Sequence, residues 1–132
     1  KMSKSRNNLI NIFLPMKQLK KQIMSIKTDS TPLEEPKNPD TCHVFALYSI
    51  LASEEQTGSL KEKYLAGHFG YGHAKTALLE LVLEKYGTAR EKFDYYMANK
   101  NELDTILFEG AEKARKVSTT VITRVREKLG FK

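Results

Sequence analysis

Residues 99–131 read NKNELDTILFEGAEKARKVSTTVITRVREKLGF. Leu103, Leu107, Gly110, Ala114, Val117, Val121 and Leu129 recur mostly at steps of three and four, the spacing that places side chains along one face of an α-helix. Asn99 followed by Glu102 resembles an N-terminal cap. At the other end Gly130 fits the C′ position, where a left-handed residue closes a helix, and Phe131 supplies the hydrophobic contact of such an end. This is the cleanest pattern in the chain, and it points to a helical fold.

Working back from it, the same period recurs. Ala74, Leu78, Leu81, Ala89, Phe93, Tyr96 and Met97 trace the buried side of a long helix, in which Lys85 intrudes and Gly87 is a place to bend. His68-Phe69-Gly70-Tyr71-Gly72 before it reads as a tight turn, because glycine tolerates positive φ. Ser53 with Gln56 is a capping box opening a short helix that ends before Gly67, anchored by Leu60, Tyr64 and Leu65. Asp40 is placed to cap another helix, with Val44, Leu47, Tyr48 and Leu51 inward and an end near Ala52. Lys27 to Asp40 holds three of the four prolines and no period, so it is a surface connector. Pro15 suits the first position of a basic amphipathic helix whose stripe is Met16, Leu19, Ile23 and Ile26. Leu9 to Leu14 is apolar and stays open between a short strand and extended chain. The fold class is therefore mainly α, a bundle of about five helices with Phe45, Tyr48, Leu78, Leu81, Phe93, Ala114 and Val121 in its core.

At 132 residues the chain is long enough to bury a core. Its one cysteine, Cys42, excludes an internal disulfide and fits a reducing, cytoplasmic setting; no apolar run reaches the length of a membrane span. The net charge of +6 is segregated: residues 1–32 hold seven Lys or Arg against one acid, residues 33–112 eight against fourteen, and residues 113–132 seven against one. Basic ends around an acidic middle suit a protein that meets a polyanion at separate places; a solvated helix face is the plainer alternative. No nucleophile beside a base is visible, which leaves hydrolase chemistry unsupported. Cys42, His43, His68 and His73 lack chelating spacing, so no metal site is expected from side chains.

The first five residues, Lys1-Met2-Ser3-Lys4-Ser5, form a compact polyanion-binding cluster, in which ammonium groups act as point charges on phosphate and hydroxyls add hydrogen bonds. Asn8 and Ile10 follow, then Thr28-Asp29-Ser30, Pro39-Asp40-Thr41-Cys42-His43-Val44-Phe45-Ala46-Leu47-Tyr48 and Gly70-Tyr71-Gly72-His73-Ala74-Lys75. The opening block resembles the second signature (KMSKS) of class I aminoacyl-tRNA synthetases, and the ordered set resembles the C-terminal portion of the bacterial-type tryptophanyl-tRNA synthetases over nearly the whole chain. Arg6 and Asn7 depart from a common pattern of that family, an acidic residue and a proline, which bears on closure of the loop.

The resemblance implies a tryptophan–tRNA ligase, which activates tryptophan with ATP and Mg2+ and transfers it to tRNA(Trp), working as a cytoplasmic homodimer. Residues 1–32 would be the end of the catalytic domain, its lysine loop and a linking helix. Residues 33–132 would be the helical C-terminal domain that binds tRNA near the anticodon. The Rossmann-type sheet and the amino-acid pocket would precede Lys1, so the 132 residues alone are expected not to form an adenylate. By the same resemblance Lys4 is the principal pyrophosphate contact and Lys1 a second, while Met2, Ser3 and Ser5 complete the ATP-binding loop. Lys113, Lys116, Arg124 and Lys128, roughly along one side of the last helix, are candidate tRNA contacts. Phe69 and Tyr71 join them as aromatics able to stack on bases, with packing of their turn as the alternative role. The competing readings are a tyrosyl relative and a free-standing helical RNA-binding module.

Overall fold

The computed structural model describes residues 9–131. Among them are five helices and no strand: α1 (Met16–Met24), α2 (His43–Leu51), α3 (Glu54–Ala66), α4 (Tyr71–Ala98) and α5 (Lys100–Leu129). The mainly α class expected from periodicity is thus observed. The chain divides into two compact units, Lys1–Glu91 and Lys92–Lys132.

The first unit holds the whole hydrophobic core. Leu19 and Ile23 of α1 pack in one cluster with Val44, Phe45 and Tyr48 of α2, Leu60 and Tyr64 of α3, and Ala74, Leu78, Leu79, Leu81 and Val82 of α4. Tyr64 is fully buried, and its ring meets Phe45 edge-on at 5.4 Å, Phe69 at 5.8 Å and Tyr71 at 6.2 Å. Local sequence sets the helix ends. At α3 the Ser53 hydroxyl accepts from Gln56 N–H at 3.2 Å while the Gln56 side chain accepts from Ser53 N–H at 2.9 Å, the reciprocal box read from the sequence. Asp40 does not cap α2; the helix starts later, with Cys42 as N-cap and no side-chain bond there. Leu9 to Leu14 forms no strand: Leu9 to Asn11 is without regular structure, and the chain then turns, closed by Leu14 N–H to the Asn11 carbonyl at 3.2 Å.

The connector between α1 and α2 is pinned down. Lys37, only 2% exposed, donates its ammonium to the carbonyls of Pro32 (2.9 Å), Glu35 (3.2 Å) and Leu33 (3.4 Å), and the charge lies 5.3 Å from the centre of the Tyr71 ring. Its N–H donates to the Tyr64 carbonyl at 2.7 Å. The connector then presses so close to the end of α3 that a Cβ on Gly67 would lie 2.6 Å from the Glu34 carbonyl oxygen. Positive φ occurs at Gly67 (74°) and His68 (55°) rather than at Gly70 or Gly72, because α4 begins at Tyr71 and takes Gly72 into its first turn.

In the second unit α5 buries nothing. Val121 is 45% exposed, Ala114 is exposed, and Phe93 near the end of α4 is 38% exposed, so these three expected core residues lie outside the core. The buried side of α4 likewise stops at Val82, leaving Ala89 and Met97 exposed. The apolar stripe of α5 is real, but nothing within the second unit covers it. Asn99 precedes α5 without a side-chain cap bond; its amide donates to the Tyr95 carbonyl at 2.8 Å, and Glu102 accepts from the Tyr95 hydroxyl at 2.6 Å instead. At the other end Gly130 is left-handed, as expected, and Phe131 N–H donates to the Arg126 carbonyl at 2.9 Å, while the Phe131 side chain is 65% exposed.

Candidate functional site

Lys1 to Ser5, with Arg6, Asn7 and Asn8, lie outside the described residues. What the structure shows is the segment that follows them. Asn11 N–H donates to the Gln22 side chain at 2.8 Å, tying the turn to α1, and Phe13 N–H donates to the Asn11 side chain at 3.0 Å. Two cations of α4 grip the same segment. Arg90, half-buried, donates to the carbonyls of Ile12 and of Leu14, the latter at 3.0 Å. Lys75, also half-buried, donates to the Met24 carbonyl at 3.0 Å, on the last residue of α1. Since the earlier residues meet Arg90 and the later one meets Lys75, the segment runs antiparallel to α4.

Farther along, the Tyr71 hydroxyl donates to Asp29 at 2.7 Å, and Thr31 N–H donates to the same carboxylate at 3.0 Å. The Tyr71 bond is the main reason the Asp29 carboxyl is held below its ordinary value of 3.8, with the Thr31 bonds next. Burial, and then that same bond, pushes the Tyr71 hydroxyl up to about 12. Burial also pushes up the Tyr64 hydroxyl, which lies 3.5 Å from the Cys42 thiol. None of these groups sits with a partner suited to nucleophilic or acid–base catalysis; the arrangement positions chain.

Phe69 and Tyr71 are both half-buried and packed on Tyr64. Phe69 also meets His73 at 5.7 Å, and both rings line a surface groove of about 470 Å³ with Tyr48, Glu55, Gln56, Lys63 and Glu80. Lys113, Lys116, Arg124 and Lys128 are exposed on α5. At about 100° per residue they fall within an arc of about 120° that overlaps one edge of the apolar stripe. The one ion pair among the described residues, Arg115 to Glu112 at 2.6 Å, uses none of the four. Those residues hold no group of three or more His, Cys, Asp or Glu able to bind a metal.

Lys37, Lys75 and Arg90 were not distinguished by the sequence pattern. A lysine among prolines and a cation on a helix read as solvated charge, and only the fold brings backbone carbonyls to them.

No family model matches the chain. Among curated proteins it is 50% identical over 131 residues to the tryptophan–tRNA ligase of Fusobacterium nucleatum, covering 99% of this chain and 40% of that protein. It is 41% identical over 132 residues to that of Rhodopirellula baltica, covering 100% of this chain and 41% of the relative. Over nearly its whole length the chain is thus similar to a part of the tryptophan–tRNA ligases. It spans about two fifths of the curated ligases it matches. The tryptophanyl-tRNA synthetase of Campylobacter jejuni has the same fold over 99% of this chain and 42% of its own, with a TM-score of 0.93 at 43% identity. A second structure of that synthetase, complexed with ADP and tryptophan, matches equally well, with a TM-score of 0.93. No helix among the described residues is long and apolar enough to cross a membrane.

Proposed function

We propose that this chain works within a tryptophan–tRNA ligase, where tryptophan and ATP form tryptophanyl-adenylate and the amino acid passes to tRNA(Trp). The observation that carries the reading is the 50% identity to a curated tryptophan–tRNA ligase across 99% of the chain. In adenylate formation the tryptophan carboxylate attacks the α-phosphate of ATP, supplied as its Mg2+ complex, and pyrophosphate leaves. Negative charge builds on the leaving group. Lys4, with Lys1 second, stabilises that charge more in the transition state than in the ground state, which is what accelerates a step. Ser3 and Ser5 hydrogen-bond and shape the loop, and Met2 packs against the nucleotide. No proton transfer by these residues is required.

In this reading residues 1–32 end the catalytic domain and residues 33–132 form the tRNA-binding domain. The division is one of role, since α1 shares its core with α2, α3 and α4. Lys113, Lys116, Arg124 and Lys128 meet RNA phosphate, and Phe69 and Tyr71 lie by the RNA, Phe69 with its ring at the groove. The working protein is a cytoplasmic homodimer.

The test is tryptophan-dependent ATP–pyrophosphate exchange in the full-length protein. Lys4→Ala should lower kcat by the equivalent of about 2–4 kcal/mol, by analogy with lost oxyanion donors, with a much smaller change in ATP binding. A variant with weakened ATP binding and intact kcat overturns the role given to Lys4.

A further inference from the structure

We propose that the groove between α3 and α4 is a pocket for one unstacked base of tRNA(Trp), and that it selects bases carrying an exocyclic amino group. The inference deepens the RNA-binding role given to Phe69 above and rests on it. The groove, of about 470 Å³, is built wholly from the first unit and falls in the size range of small-ligand sites. Phe69 and His73 stand there with ring centres 5.7 Å apart, an aromatic surface on which the flat face of any base can stack. Tyr48 of α2 is only 9% exposed, and its hydroxyl forms no hydrogen bond. No buried polar side-chain atom among the described residues lacks a partner, so that hydroxyl reaches solvent, and the surface that Tyr48 lines is this groove. Burial first, then the charges of Glu84 and Glu80, push the hydroxyl up from its ordinary value of 10.0, which keeps it a neutral donor near neutrality.

Glu55, Glu80 and Lys63 line the same groove, and none of them belongs to the one ion pair among the described residues. Ionised carboxylates only accept hydrogen bonds. A base with an exocyclic amine, cytosine above all, offers them N–H donors, whereas uracil presents a carbonyl oxygen at the same edge, which they repel. The unpaired ammonium of Lys63 argues against a simple cation as the occupant, and the two carboxylates argue against a bare phosphate. A nucleotide unit answers both, with its base towards Glu55 and Glu80 and its phosphate towards Lys63. Specificity then comes from the carboxylates and the Tyr48 hydroxyl, and affinity from stacking.

The experiment titrates the full-length protein with short oligocytidylate, short oligouridylate and tRNA(Trp), using Glu55→Ala/Glu80→Ala, Tyr48→Phe and His73→Ala. Tyr48→Phe keeps the buried ring and the other three residues are exposed, so thermal midpoints should stay near that of the parent. The parent should bind oligocytidylate roughly tenfold more tightly than oligouridylate, the scale of a good carboxylate contact to cytosine. Glu55→Ala/Glu80→Ala should bring the two within about twofold, and His73→Ala should weaken both alike, by roughly fivefold. Tyr48→Phe should weaken oligocytidylate. Every variant should also bind tRNA(Trp) more weakly with an unchanged salt slope, because no phosphate contact is lost, and should exchange pyrophosphate at the parent rate. Equal binding of the two oligonucleotides by the parent, or parent-like tRNA(Trp) affinity in all three variants, overturns the inference alone. A parent that does not bind tRNA(Trp) brings down the RNA-binding reading and the inference with it. Spermidine binding that disappears in Glu55→Ala/Glu80→Ala, without any preference for oligocytidylate, replaces the base pocket with a cation site. Cytidine monophosphate binding as tightly as tRNA(Trp) overturns tRNA as the source of the base.

Discussion

The stretch from Leu9 to Glu91 and the stretch from Lys92 to Phe131 are both helical, yet their apolar side chains have opposite fates. Every buried hydrophobic residue described lies between Leu19 and Val82. In α5, Leu107 is 61% exposed, Val117 69% and Leu129 67%. Helical spacing of apolar residues reports that a helix has a face, not that the partner for that face lies in the same stretch of chain. Stability in this chain should therefore be a property of the first unit. The sharpest break of that comparison pairs Tyr64→Ala with Val117→Ala. Removing the buried ring of Tyr64 should cost about 3–5 kcal/mol, whereas Val117→Ala should stay within about 0.5 kcal/mol in denaturant unfolding of this chain. Equal losses at the two sites would mean that the stripe of α5 is covered after all.

The next effect lies in the connector. Lys37→Met keeps the aliphatic stem but removes three charge-assisted bonds to carbonyls and the contact with the Tyr71 ring. Hydrogen bonds to charged groups are worth about 1.5–3 kcal/mol, and a loss of that size is expected in the same unfolding experiment. A change near zero would show that water takes over all three carbonyls and that the clasp is incidental.

These two sites also show what was legible in the sequence. Element types and most boundaries were, because period and capping are local: the Ser53–Gln56 box, the Gly130 end and the start of α1 beside Pro15 all follow from neighbours within four residues. The inner stripe of the first unit, with Phe45, Tyr48, Leu78 and Leu81 buried, was legible for the same reason. Phe93, Ala114 and Val121 were misplaced because burial depends on what lies opposite, which no period encodes. The clasps were not legible either. Arg90 meets Leu14 and Lys75 meets Met24 across long sequence separations, and a cation on a helix carries no local mark of the carbonyl it will find. The lysine motif was recognised by residue identity alone, and its geometry lies outside the described residues.

A smaller effect separates the two units by pH. The Tyr71 hydroxyl bond to Asp29 belongs to the first unit, and it sets both an acid and an alkaline limit. A carboxyl held below its ordinary value contributes stability above 3.8 and loses it as pH falls through the lower folded-state value. A tyrosine raised to about 12 favours the neutral hydroxyl, so its contribution is whole below 10.0 and fades as pH rises towards about 12. The stability gap between the parent and Tyr71→Phe should therefore be flat around neutrality, shrink below pH 3.8, and shrink again above pH 10.0. A gap that persists unchanged into strong acid would remove the Asp29 carboxylate as the partner that matters.

The smallest effect on folding should be the most informative about function. Lys113, Lys116, Arg124 and Lys128 are exposed on a helix that buries nothing, so replacing any one with glutamine should move the unfolding midpoint by less than the error of most measurements. If these cations face RNA phosphate, the same single substitutions in the full-length protein should weaken binding of tRNA(Trp). Each should also reduce the slope of log affinity against log salt by about one, because one fewer counterion is released per contact. Adenylate formation should be unchanged, since it requires no tRNA. The four lie within one arc of α5, so the losses should be similar among them and absent from Arg115, which lies on another side and is paired with Glu112. Titrations from low to moderate salt decide the matter. Unchanged affinity and slope at all four positions would reduce the basic end of α5 to a solvated face, and an equal loss at Arg115 would replace a directed interface with a diffuse electrostatic one.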